Sequence, residues 1–340
     1  MTEDRFNEIT GRYADLRIAV IGDFCLDRYL EIDPARRESS IETGLEVHNV
    51  TRIRSQPGGA GTILNNLVAL GVGRIFAVGF CGDDGEGYEL KRALQQQPGV
   101  DLRSFVQSNE RHTFTYTKPL VCEAGKTPRE LNRLDIKNWT STPGNLESAF
   151  IASIRTLAAE VDTIIVLDQV DEADTGVITA RVREALGEIG EANPRLPILV
   201  DSRRGLKEWP PLIYKMNARE LTALQRSDTE PASQIKQLAT TVGRPVFVTL
   251  AENGMLGATS SGEVHHHPCF PIRGEIDVVG AGDSVMANLA SALAAQATIP
   301  EALALASAAA SIVVHQLGTT GSANVTQLRE LLGQFDSVTT

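Results

Sequence analysis

Two glycine-rich stretches hold the residues whose types and spacing suit chemistry. The more informative is Asp277-Val278-Val279-Gly280-Ala281-Gly282-Asp283-Ser284, followed by an apolar helical run from Val285 to Ala294. Two glycines and an alanine ahead of a helix let backbone amides converge on one point without side-chain obstruction. The helix N-terminus adds partial positive charge. Together they predict an anion hole at Gly280, Ala281 and Gly282, suited to a phosphoryl group whose charge develops during transfer. Asp283, at the start of that helix, is a candidate base for an attacking alcohol. The plain alternative is an Asp N-cap on a Gly-rich turn, which needs no catalysis.

The second stretch, Pro57-Gly58-Gly59-Ala60-Gly61, precedes a helical run from Thr62 to Leu70 that Gly71 closes. Gly58 and Gly59 remove side chains where a ligand would approach the backbone, although a purely structural turn has the same composition.

These pieces need a scaffold, and the pattern of elements supplies one. Leu16 to Ile21 reads as a buried parallel strand ending at Gly22-Asp23. Tyr29 to Ile32, Val47 to Ile53 and Thr113 to Val121 are strand-like pieces without helices between them, as expected of a small sheet or lid. From there helix and strand alternate. Asn145 to Glu160, Glu172 to Ile189 and Pro231 to Val242 read as helices; Thr163 to Leu167, Pro197 to Val200 and Pro245 to Leu250 read as strands. This order predicts an α/β fold with a mostly parallel sheet covered on both faces. Ligands bind such sheets beyond the carboxyl ends of the strands, where Gly22-Asp23, Asp168, Asp201 and Ala251 to Gly254 fall. The Ala-rich tract from Val285 to Leu317 reads as two packed helices, because Asn288, Ser291, Gln296, Pro300, Glu301 and His315 interrupt it.

The two glycine stretches, taken with the rest of the chain, resemble the signatures of the ribokinase-like (PfkB) carbohydrate kinases. The resemblance runs from about Ile18 to Val325. Gly82 to Gly87 resembles the family's GDDxxG turn, and Asn217-Ala218-Arg219-Glu220 its NxxE motif. The look is nearest to the bacterial heptose-7-phosphate kinase branch, through Gly22 to Tyr29 (GDxxLDRY), Arg133-Leu134-Asp135 (RLD) and Ala308 to Thr319 (AAA…LGT). The resemblance implies a ribokinase-like three-layer fold in a single domain over 1–340, with lid strands inserted at about 29–54 and 113–135. It also implies a kinase that uses ATP and Mg²⁺.

Carried over residue by residue, it makes Asp283 the base and Gly280, Ala281 and Gly282 the anion hole. Asp27, Gly58, Gly59 and Thr62 would bind the sugar. Asn217 and Glu220 would organise the phosphates and, through water, magnesium, while Thr249, Ala251, Gly254 and Ser307 would line the nucleotide pocket. Backbone at Asp277, Val279 and the Val313 to Ser322 region would form a monovalent-cation site, with K⁺ the candidate ion. A homodimer formed through the lid is implied as well. Thr62 stands where the family usually has Asn, Leu167-Asp168-Gln169 where the heptose branch has SDY, and Asp201-Ser202-Arg203-Arg204-Gly205 where it has a DPKG-like loop. Either arginine of that loop could take the lysine's place near a phosphate. Ile41 to Val47 replaces a proline-rich segment of the heptose branch, and the resemblance stops short of the nucleotidyltransferase domain that some heptose kinases carry.

Bulk properties agree with a small-molecule enzyme. The net charge of −11 disfavours attraction to nucleic acid or an anionic membrane. Four scattered cysteines without a Cys-x-x-Cys pair favour reduced thiols and a cytoplasmic setting. The first residues lack the apolar centre of a signal peptide. Gly125-Lys126-Thr127 does not make a P-loop, since the required first glycine falls at Leu120. His265-His266-His267 alternate across a strand and read as no metal site. A nucleoside or vitamin kinase of the same fold, or a non-catalytic ligand-binding relative, are the competing readings.

Overall fold

In the computed structural model, which describes residues 1–227 and 229–336, the central feature is a large sheet whose middle strands are parallel. Its order runs Val264–His267, Met255–Ala258, Val246–Thr249, Ile213–Asn217, Ile198–Ser202, Thr163–Asp168, Arg17–Gly22, Arg74–Gly82, Val100–Asp101; Phe105–Ser108 also pairs with Arg74–Gly82. Only the pairings of Met255–Ala258, to Val246–Thr249 and to Val264–His267, are antiparallel. Arg17–Gly22 lies inside the sheet, with Ile18 opposite both Thr163 and Ile75. Buried along nearly its whole length, it needs apolar side chains on both faces, which its run of Ile, Ala and Val supplies.

Each face of the sheet carries its own core. Phe6, Leu64, Leu67, Leu90, Met286, Leu289 and Leu305 belong to one; Phe150, Ile154, Val182, Leu186, Leu221 and Ile235 belong to the other. The result is three layers, helix–sheet–helix. Ala281–Ala294 and Ile299–Val313 are buried almost all round, and their alanines and serines let the two helices pack closely.

A second sheet is formed by Phe24–Ile32, Val50–Gly59, Phe114–Val121, Arg129–Glu130 and Leu134–Ile136. Its first strand begins at Phe24, several residues before the expected lid boundary, because only Asp23 separates it from the strand Arg17–Gly22. Asp27 is thereby part of this sheet, in register with Gln56 on one side and Tyr116 on the other.

One expected helix is shorter than its composition suggests. Glu172 to Ile189 was read as helical throughout, but the helix is Ala180–Ala192, capped by the Thr179 hydroxyl, which accepts from Val182 N. The preceding backbone turns inward instead. The buried carboxylate of Asp23 accepts from Gln169 N at 2.9 Å and from Val177 N at 2.7 Å, which holds the segment as a loop at the strand ends. The strand Ile213–Asn217 was not foreseen; nor were Arg74–Gly82 and the helices Glu3–Gly11 and Gly85–Gln95.

Candidate active site

Between the carboxyl ends of the large sheet and the small sheet lies a cavity of about 420 Å³. Asp27, Gly59 and Thr62 line it together with Gly280 and Asp283. Residues far apart in sequence meet here because Phe24–Ile32 and Val50–Gly59 descend from the small sheet onto the N-terminus of the helix Ala281–Ala294.

The glycine pair has a steric reason. A Cβ on Gly58 would lie 2.6 Å from Asp27 Oδ2, and one on Gly59 would lie 2.5 Å from the Asp23 carbonyl oxygen. Gly59 also has φ of +57°, in the region that favours glycine. A side chain at Gly58 would push on the Asp27 carboxylate, and one at Gly59 on the main chain of Asp23.

At the opposite wall Gly280, with φ of +81°, is the N-cap of the helix and Asp283 lies in its first turn. Asp283 is therefore not the N-cap, and among the described residues its carboxylate has no hydrogen-bond partner. Ala281 N donates to the Val278 carbonyl at 3.2 Å, whereas among the described residues the amides of Gly282 and Asp283 have no carbonyl one turn earlier to accept from them and can bind an anion. Enclosure by protein pushes the Asp283 carboxyl up to about 7; Lys215 pulls the other way, and Asp201 and Asp27 add to the rise. Burial likewise raises Asp27, with Lys118 opposing it at 3.8 Å.

Lys215 was missing from the sequence reading. It sits in the buried strand Ile213–Asn217, 6% exposed, with Nζ 2.5 Å from Asp201 Oδ2. A Cβ on Gly282 would lie 3.1 Å from the same Nζ, so the ammonium lies directly beneath the anion hole. Burial works to lower its pKa, and the Asp201 carboxylate reverses this and holds it raised. A lysine inside an apolar strand two residues before Asn217 was the available signal.

The remaining expected residues sit nearby. Asn217 and Glu220 form a capping box at the helix Ala218–Gln225, each side chain bonded to the other's backbone at 3.0 and 2.8 Å. Thr249 is in register with Asn217 on the adjoining strand end. Ala251 (φ +52°) and Gly254 (φ +84°) shape the turn that follows. Ser307 is buried in the helix Ile299–Val313 with its hydroxyl unpartnered. None of these six lines the cavity that holds Asp27 and Asp283. Asp277 accepts from Val279 N and Gly318 N, and its own N–H donates to the Val314 carbonyl, which draws 277–279 against 314–318. The two arginines after Asp201 separate: Arg203 lines the cavity, whereas Arg204 is bound to the buried Asp168. Asp168, bonded also to Ser202, is thus committed to structure.

A cavity framed by two carboxylates, with an amide-rich helix tip and a buried lysine at one wall, on a three-layer α/β scaffold with a small sheet over the strand ends, defines a ribokinase-like phosphotransferase. The pfkB family carbohydrate kinase profile matches residues 16–326, and the chain belongs to that family. Among its relatives, the bifunctional protein HldE of Bradyrhizobium sp. (strain ORS 278) is 31% identical over 340 residues, spanning 96% of this chain and 66% of that protein. HldE of Azorhizobium caulinodans is 31% identical over 308 residues, 89% and 61% of the two chains. The chain thus spans about three-fifths to two-thirds of the length of these relatives. The fold matches the structure of Arabidopsis thaliana ribokinase complexed with ribose and ATP, with TM-score 0.66, 21% identity and coverage of 93% and 98%. It also matches Escherichia coli phosphofructokinase-2 in complex with substrates and products, with TM-score 0.69, 17% identity and coverage of 94% and 99%.

Proposed function

We propose that the chain transfers the terminal phosphoryl group of ATP to a hydroxyl of a sugar phosphate of the heptose phosphate class. The observation that carries this reading is the shared cavity: Asp27 and Asp283 face one space, and the cationic side chains of Lys118, Arg133, Lys137 and Arg203 line it with them. An acceptor bearing its own phosphate would meet those cations while its hydroxyls meet Asp27.

In this scheme Asp27 orients the acceptor, and Asp283 takes the proton from the attacking hydroxyl. The acceptor oxygen forms a bond to the γ-phosphorus as the bond from phosphorus to the bridging oxygen of ADP breaks. Charge accumulating on the phosphoryl oxygens is met by the amides of Gly280 and Gly282 at the helix tip and by Lys215 beneath them. The small sheet over the cavity keeps water from serving as acceptor. Glu220 would hold Mg²⁺ through water, its own proton affinity raised by burial and by the neighbouring Asp201 carboxylate; when bound, the ion would neutralise phosphate charge. Main-chain oxygens around Asp277, Val279 and 313–322 would hold K⁺, and the bond from Asp277 N to Val314 O supports this by bringing the two segments together. Four free cysteines agree with a reducing, cytoplasmic setting. No helix among the described residues is long and apolar enough to cross a membrane.

A panel of sugars, sugar phosphates, nucleosides and vitamin alcohols, assayed by coupled ADP detection, tests the proposal. Turnover confined to sugar phosphates is the expected result. Turnover on a nucleoside or vitamin would replace it, and ATP binding without turnover on any acceptor would favour a non-catalytic relative.

A further inference from the structure

The segment 317–321 sits between the two halves of the site, and one side chain of the small sheet reaches it. Gln56 Nε2 donates to Thr320 Oγ1 at 2.6 Å, and Thr319 Oγ1 donates to Gln56 Oε1 at 3.2 Å. Both ends of one side-chain amide are therefore spent on two successive residues of this segment. Gln56 is directly opposite Asp27 in the sheet register, so it is the cross-strand partner of the residue facing the acceptor. Thr320 in turn lines the cavity and packs on the anion hole: a Cβ on Gly280 would lie 3.3 Å from Thr320 Cβ.

The rest of the segment is bracketed from the other side. Gly318 N donates to Asp277 Oδ2 at 3.4 Å, and Gln316 bonds both the N–H and the carbonyl of Ser322, at 3.0 and 2.8 Å. Asn66 Nδ2 reaches the Gly321 carbonyl at 3.3 Å. These contacts fix the ends, while Leu317 is half exposed. The middle, where Thr320 meets Gly280, is set by Gln56.

We propose that Gln56 is a positioning residue for phosphoryl transfer: it seats Thr320 against Gly280 and so sets the wall of the anion hole from the acceptor side. It touches neither reacting group. Its effect passes through Thr320, and it rests on the reading of Gly280 to Gly282 as a phosphate site.

The test is calorimetric binding of Mg·AMP-PNP to the wild type, Gln56→Ala, Thr320→Val and the double variant, with thermal unfolding of each without ligand. Thr320→Val keeps the shape that packs on Gly280 and removes only the hydroxyl. One part-buried hydrogen bond corresponds to roughly a 3- to 10-fold change in affinity. Each single variant is expected to bind Mg·AMP-PNP that much more weakly, with an unfolding midpoint close to that of the wild type. The double variant should be no worse than the poorer single one, as two partners in one contact require. Unchanged affinity in Thr320→Val, or losses that multiply in the double variant, would overturn the proposal while leaving the kinase assignment intact. Failure of the wild type to bind Mg·AMP-PNP would overturn both.

Discussion

Lys215 and Asp201, on adjacent parallel strands, form an ion pair of 2.5 Å directly under Gly282. The pair sets the electrostatics of the base above it. Burial and two neighbouring acids push Asp283 up to about 7, and the Lys215 ammonium keeps the rise from being larger. A carboxyl in that range can accept a proton near neutral pH and still be ionised for a useful fraction of the time.

Replacing Lys215 with Met should therefore act twice. Removing one partner of a buried ion pair strands the other, at a cost of about 3–5 kcal/mol in stability. Without the ammonium, Asp283 becomes harder to ionise, so the acid limb of the rate profile moves to higher pH. Chemical denaturation measures the first effect and a pH series of kcat measures the second. A destabilised variant with an unmoved acid limb would mean that Lys215 serves the fold alone.

Asp283→Asn removes the proton acceptor but keeps the shape of the helix tip. Nucleotide affinity should hold, and turnover should fall by about 10²–10⁴-fold. In the wild type, kcat/KM should drop about tenfold per pH unit below about 7, where Asp283 gains its proton. An Asn variant with wild-type turnover would remove Asp283 from the role of base.

Much of this arrangement was legible in the sequence. Apolar runs such as Arg17–Gly22 announce strands buried on both faces, and the glycines before Asp283 announce a backbone that must approach a ligand. The Lys215–Asp201 pair was not legible, because the two residues meet only through strand order and the strand Ile213–Asn217 carries a polar residue in its middle. The segment before Ala180 misled for a related reason. Its Glu, Ala and Asp residues suit a helix, but a buried carboxylate contributed by Asp23, 146 residues earlier than Gln169, captures its amides. Local propensity yields where a distant buried charge needs donors.

Asp27 is 6% exposed and faces the cavity from the small sheet. If it holds acceptor hydroxyls, Asp27→Ala should raise the acceptor KM by roughly 10-fold or more, the range of a hydrogen bond to a charged group. The KM for ATP should change by no more than about twofold. Because the substitution also strips Lys118 of its carboxylate at 3.8 Å, Asp27→Asn is the control that keeps the shape. Equal effects on both substrates would remove Asp27 from the acceptor side.

The small sheet leaves Val50, Ile53, Leu134 and Ile136 exposed, with Ile53 at 55% and Leu134 at 64%. Open strand edges with exposed apolar side chains, on a lid that is one sheet, are surfaces that a second copy can cover. Sedimentation at micromolar concentration should show a dimer, and Ile53→Glu combined with Leu134→Glu should shift it towards monomer. A wild-type monomer under those conditions would exclude the lid as the interface.

The raised pKa of Asp283 also has a consequence for stability, opposite in sign to that of an ordinary salt-bridged carboxylate. Its folded value is about 7, above the usual unfolded range, so the folded state binds the proton more tightly. The contribution is therefore fully present below the unfolded carboxyl range, at about 4, and is lost progressively as pH rises from there through about 7. Above that point the ionised carboxylate, without a hydrogen-bond partner, burdens the fold. Asn at this position removes the burden, so Asp283→Asn should be more stable than the wild type at pH 8, by about 1–2 kcal/mol after allowance for screening by cavity water. At about pH 4, near the unfolded carboxyl value, the two should be nearly equal. Denaturant midpoints at both pH values measure this, and a variant no more stable than the wild type at pH 8 would show that Asp283 is ionised without strain in the empty site.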